Sequence, residues 1–88
     1  SSRYYSSPIS YNSTRSAIQH GNPVVALWSW PGGGGHFIVI DGFDDASQKL
    51  YFMNPWPGEG AGYGDYNWVR YGQGDMGLHN WVESLIAY

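Results

Sequence analysis

Two runs decide the fold: Trp30–Asp44, W-P-G-G-G-G-H-F-I-V-I-D-G-F-D, and Leu50–Gly58, L-Y-F-M-N-P-W-P-G. A proline and four glycines after Trp30 make a loop. Phe37–Ile40 is continuously apolar and β-branched, which suits a central strand buried on both faces. Asp41-Gly42 and Asp44-Asp45-Ala46-Ser47 carry turn chemistry. Leu50–Met53 reads as the return strand. If residues 37–40 and 50–53 pair as a hairpin, His36 and Asn54 come to the same end of adjacent strands.

Upstream, Val24–Trp30 alternates as a strand, with Val24, Ala26, Trp28 and Trp30 on one face and Val25, Leu27 and Ser29 on the other. Ser13–His20 is a short helix candidate. Asn12 or Ser13 can cap it, Gly21 suits the position past its end, and Pro23 prevents continuation. Residues 1–12 read as an irregular segment broken at Pro8. Downstream, residues 54–65 are rich in Gly and Pro and read as loop. Tyr66–Tyr71 alternates as a further strand. In the last segment, Trp81, Leu85 and Tyr88 fit a helix face, whereas Val82, Ser84, Ile86 and Tyr88 fit a strand face. The β-branched and aromatic content favours the strand. The expected fold class is α+β: a small antiparallel sheet of about five strands with one short N-terminal helix, in a single domain or part-domain spanning 1–88.

Composition narrows the function. The chain has 88 residues and no cysteine, so no disulfide staples it. A chain this short buries roughly 60–65% of its unfolded surface. Five Trp, eight Tyr and three Phe compensate, because each large ring buries about 150–250 Å². Charged residues are only 12% and the net charge is −3. Arg3, Arg15, Lys49 and Arg70 are scattered, which argues against a nucleic-acid partner. No apolar run reaches about 18 residues, so no membrane span is expected. The start has no apolar core of a signal peptide. Low charge with much Gly, Ser, Tyr and Trp leans toward a secreted or extracellular protein.

His36 is the first candidate for chemistry. A general base must be held near its proton donor in the correct tautomer, and imidazole titrates near neutrality. The glycines before His36 let backbone approach closely and leave one side of its ring open to substrate. Trp30, Gly34 and Gly35 are therefore the candidate substrate-binding residues. The bland alternative is a histidine satisfied at a strand end. Asn54 adds weight, since an amide oxygen there can accept from one ring N–H and fix the tautomer. Trp56 is placed to shield that bond from water, which strengthens it. Read without the hairpin, Asn-Pro-Trp-Pro-Gly is simply a turn.

Other signals are weaker. Asp41, Asp44 and Asp45 lack the spacing and terminal Glu of an EF-hand. His20, His36 and His79 are too dispersed for a zinc site, so no metal and no cofactor is expected. The glycine run precedes a strand and lacks a following Lys-Ser/Thr, so it is no phosphate loop. No serine lies in a G-x-S-x-G elbow, and Ser29, the nearest in sequence to His36, sits on a strand.

The run G-G-G-G-H-F-I-V-I-D-G-F-D, then Y-F-M-N-P-W-P-G and Y-N-W-V-R-Y, resembles the C-terminal half of bacterial papain-like cysteine peptidases of the C39-like group. Ile18, Gly21, Pro23, Val24 and Val25 match that group's preceding I-x-x-G-x-P-V-V pattern. The resemblance covers roughly residues 9–88 and implies the β-rich half of a papain-like fold. It implies His36 as the general base, Asn54 as its orienter and Trp56 as the shield of the pair. The family's nucleophilic Cys and oxyanion-hole Gln lie in an upstream half, before the first residue of this chain. The expectation is a peptidase segment inactive by itself, with a Cys-bearing N-terminal half or another copy as partner and a peptide or protein as substrate. The other open reading is a stand-alone noncatalytic module that binds a peptide, a glycan or itself through an aromatic face.

Overall fold

The hairpin read from the glycine loop is the centre of the sheet. The computed structural model describes residues 2–54, 60–72 and 79–88. Strand β1 is Ser2–Tyr5, helix α1 Tyr11–Gln19, β2 Val24–Ser29, β3 Gly35–Asp44 and β4 Lys49–Asn54. Then follow β5, Gly60–Asp65, helix α2, Tyr66–Tyr71, and β6, Asn80–Ala87. The six strands form one sheet in the order β1-β6-β2-β3-β4-β5, with every pairing antiparallel. The class is α+β, as expected. Among the described residues no helix is long and apolar enough to cross a membrane.

Strand β2 shows why the sheet has an inside. Its positions alternate buried and half-buried, with Val24, Ala26 and Trp28 turned inward, the face its period-2 pattern assigns. Ile38, Ile40, Leu50, Phe52 and Ile86 extend that face over neighbouring strands. Ala17 of α1 and Val69 of α2 belong to the same core, so both helices cover one side of the sheet. Helix α1 starts at Ser10, whose Oγ accepts the Ser13 amide at 3.1 Å. The cap is thus two to three residues earlier than Asn12 or Ser13. Gly21 follows the helix with φ of 81°, the left-handed conformation that glycine adopts without steric cost.

Five expectations need correction. Phe37–Ile40 is not buried on both faces, because Phe37 is exposed and Val39 half-buried while Ile38 and Ile40 face the core. Residues 1–12 are not wholly irregular, because Ser2–Tyr5 pairs along β6, from Ser2 opposite Ala87 to Tyr5 opposite Ser84. Ser84 Oγ donates to Ser7 O at 2.8 Å, tying the following chain to the same strand. Asp41-Gly42 is not a turn. The register of β3 on β4 shifts between Ile40 and Gly42, so Asp41 is the extra residue of a bulge. The turn falls at Asp45–Gln48, where Asp44 accepts the Ala46 amide and the Ser47 hydroxyl.

Residues 60–65 are strand rather than loop. Gly62 and Gly64 alternate along the inner side of β5, where a Cβ would lie 3.0 Å from the Phe52 ring and 2.8 Å from the Trp68 ring. Glycine is there to seat rings, not to turn the chain. Tyr66–Tyr71 is a helix rather than a strand. In a strand, Trp68 and Val69 would point to opposite faces. In α2, Val69 is fully buried while Trp68 stacks on Phe52, with ring centroids 6.1 Å apart and planes at 13°. Gly72, at φ of 67°, ends the helix by donating to Trp68 O at 2.7 Å. The described fold therefore has six strands and two short helices.

Candidate active site

The geometry follows from register. Val39 lies opposite Met53 and Ile40 opposite Phe52. Continuing that register sets Asn54 beside Ile38, so His36 is one diagonal step away on the same face. Diagonal neighbours across a ladder lie about 7–8 Å apart, within reach of longer side chains. The two side chains close the gap: His36 Nε2 and Asn54 Oδ1 are 2.7 Å apart, and both residues are half-buried. An amide oxygen can only accept, so the bond calls for Nε2–H, and the neutral ring then carries its basic lone pair on Nδ1.

The loop ahead of His36 is closed by backbone. Trp30 N donates to Gly34 O at 3.2 Å, and Gly33 N donates to Trp30 O at 3.0 Å. Gly33 and Gly34 have φ of 101° and 84°, which bulkier residues strongly disfavour. The result lays the Trp30 indole parallel to the His36 ring, at 17° with centroids 6.1 Å apart. Gly35 opens β3 opposite Ser29, and a Cβ there would come within 3.2 Å of Trp28 O. Trp30 therefore lies beside the imidazole, with Gly34 in the loop before it and Gly35 at the start of its strand. Ser29 faces the other side of the sheet from His36, because Trp28 is the residue level with His36. Trp56 lies outside the described residues.

Beneath the imidazole is an aromatic floor. Trp28 meets the His36 ring at 6.2 Å and 58°. On Trp28 stacks His79, at 3.6 Å and 13°. Its Nε2 lies 2.7 Å from Val69 O, which fixes Nε2–H for this buried ring. Trp68 and Trp30 meet His79 edge-on. His79 joins α2 to the floor of the site, and nothing in the local sequence singles it out. A histidine flanked by Leu78 and Asn80 carries no periodic or motif signal, and only the fold brings it within reach of Trp28.

Asp44 and Asp45 serve structure. Asp45 accepts two bonds from Arg15 Nε, at 2.7 and 2.8 Å, and a third from the Tyr11 hydroxyl at 3.0 Å. The Arg15 bond holds the Asp45 carboxyl below its ordinary value. Burial, and then the bond to Asp45, raise the Tyr11 phenol. Among the described residues no group of three His, Cys, Asp or Glu side chains could hold a metal ion.

His36 and Asn54 thus form one hydrogen-bonded pair at the end of the central hairpin. No curated protein matches the chain. A family model, described as the Peptidase_C39 like family, matches residues 2–81. The matched span includes β1, the glycine loop, His36, Asn54 and the start of β6, and the chain belongs to the Peptidase_C39 like family.

Proposed function

We propose that this chain supplies the base and its orienter to a cysteine peptidase site whose thiol comes from another polypeptide or segment. The carrying observation is the 2.7 Å contact between His36 Nε2 and Asn54 Oδ1. It leaves Nδ1 as the basic atom and cannot itself take the proton. In the reaction, Nδ1 accepts the thiol proton and the thiolate attacks the peptide carbonyl. The resulting imidazolium gives that proton to the leaving amine as the C–N bond breaks, leaving a thioester. Water, deprotonated by the same Nδ1, then attacks the thioester carbon. The acid is released, and the sulfur leaves as thiolate with imidazolium beside it.

Trp30, Gly34 and Gly35 would flank the substrate backbone, and Trp56 would screen the His–Asn bond. The low charge and the wealth of Tyr and Trp support an extracellular setting. A noncatalytic binding role is the second reading, favoured by the exposure of Tyr4, Phe37, Tyr51 and Tyr63.

Native mass spectrometry of the protein isolated from its source tests the proposal. The expected result is an assembly with a cysteine-bearing segment that hydrolyses unfolded protein. His36→Ala should then lower kcat by about 10²–10⁴-fold, and Asn54→Ala by less, with denaturation midpoints unchanged. The 88-residue chain alone contains no cysteine and should be inert. Thiol-independent hydrolysis by that chain, lost on His36→Ala, would overturn the reading.

A further inference from the structure

The side of the sheet turned away from both helices is apolar. An antiparallel sheet with one solvated face normally alternates apolar inward and polar outward. Here the outward positions of the six strands include Tyr4 on β1, Leu85 on β6, Leu27 on β2, Phe37 and Val39 on β3, Tyr51 and Met53 on β4, and Tyr63 on β5. Phe37, Tyr51, Met53 and Tyr63 are 47, 43, 46 and 62% exposed. Tyr51 and Tyr63 are cross-strand partners with ring centroids 5.7 Å apart, so the patch is continuous. Patches of this kind mark interaction surfaces.

We propose that this face is a homodimer interface, with the sheets of two copies packed against each other about a two-fold axis. Footprint favours this occupant. Six strands at about 4.8 Å spacing and about five residues at about 3.4 Å give on the order of 500 Å² in projection. Side-chain relief brings that toward the roughly 600 Å² per partner at the lower end of stable interfaces. A single helix, about 10 Å across, would cover only about two strands. A second sheet, packing at about 10 Å, covers the whole face.

Charge permits the same pairing. Lys49, level with Asp65 on β5 and with Asp44 on β3, lies at one corner. Glu83, level with Leu27 and accepting the Tyr4 hydroxyl, lies toward the diagonal corner. No charged side chain lies between them on β2 or β3 short of Asp41 and Asp44, so a two-fold along the other diagonal buries no charge at the centre. His36 and Asn54 are on the opposite side of the sheet and stay open in the dimer. The proposal is independent of the peptidase reading.

Sedimentation of the 88-residue chain across a range of concentrations tests it. The expected result is a reversible monomer–dimer equilibrium. Phe37→Glu and Met53→Lys should each raise the dissociation constant at least about tenfold, while Tyr88→Ser, on the helix side, should not. Dilution of the unsubstituted chain supplies a readout that needs no variant. The Met53 and Val39 methyl resonances should shift, and those of Ile9 and Ile18 should stay in place. A monomer at every concentration would overturn the interface. So would a dimer that persists in both folded variants, or dilution shifts confined to the helix side.

Discussion

At the scale of residues, two polar contacts have different weights. The His36–Asn54 pair is held by the ladder beneath it, since both side chains rise from paired strands. The Tyr11–Asp45–Arg15 group lies at the surface, joining α1 to the β3–β4 turn, with the Arg15 guanidinium also over the Phe43 ring at 5.2 Å. Its titration has a definite sign. The Asp45 carboxyl is lowered by the Arg15 bond. Its contribution to stability is therefore present above the ordinary carboxylate value, about 3.9, and is lost as pH falls through the lower folded value. Tyr11 is raised, so its contribution is present below about pH 10 and lost as pH climbs through the higher folded value. Arg15→Ala should bring the Asp45 pKa up toward the ordinary value, measured by carboxyl carbon NMR. An unchanged titration would show that the bond is not formed in solution.

At the scale of elements, β5 and α2 form one unit. Trp68 lies between Gly64 on the strand that precedes it and the rings of Phe52 and Trp28. A methyl group at Gly64 would meet Trp68 Cε3 at 2.8 Å, and that ring is already stacked on Phe52. Gly64→Ala should lower unfolding free energy by about 1–3 kcal/mol, whereas Gly32→Ala, with nothing within 4 Å of the added carbon, should stay within about 0.5 kcal/mol. Urea denaturation of the two variants checks the difference. The same unit explains what the sequence could not disclose. The hairpin and the closeness of His36 to Asn54 were legible, because two apolar runs flank a short stretch rich in Asp and end at those two residues. In β5, glycine carries a local loop signal, because the ring that requires it arrives from another element. In α2, six residues are too few to separate a period of 2 from one of 3.6, and the contacts of Trp68 and Val69 decide. His79 was invisible for the same reason, since its partners are Trp28 and Val69 rather than its neighbours in sequence.

At the scale of the molecule, the site and the core are continuous. Trp28 touches Trp30 and His36 on one side and Phe52, Trp68 and His79 on the side of the core. The orientation of the imidazole therefore depends on packing as well as on its bond to Asn54. The sheet order has a consequence of a different kind. Ser2 pairs with Ala87, a contact between residues far apart in sequence. Each of the β2–β3, β3–β4 and β4–β5 hairpins closes a short loop, while this contact closes nearly the whole chain, with the largest entropic cost and the slowest search. Strand β1 is also four residues long and on the sheet edge. It should be the last strand to form and the first to peel away, with the amide of Tyr4 exchanging for deuterium faster than those of β2. Equal protection of the two strands would mean that β1 belongs to the cooperative core. The chain would then fold around its two ends, with the hairpins waiting for a long-range closure.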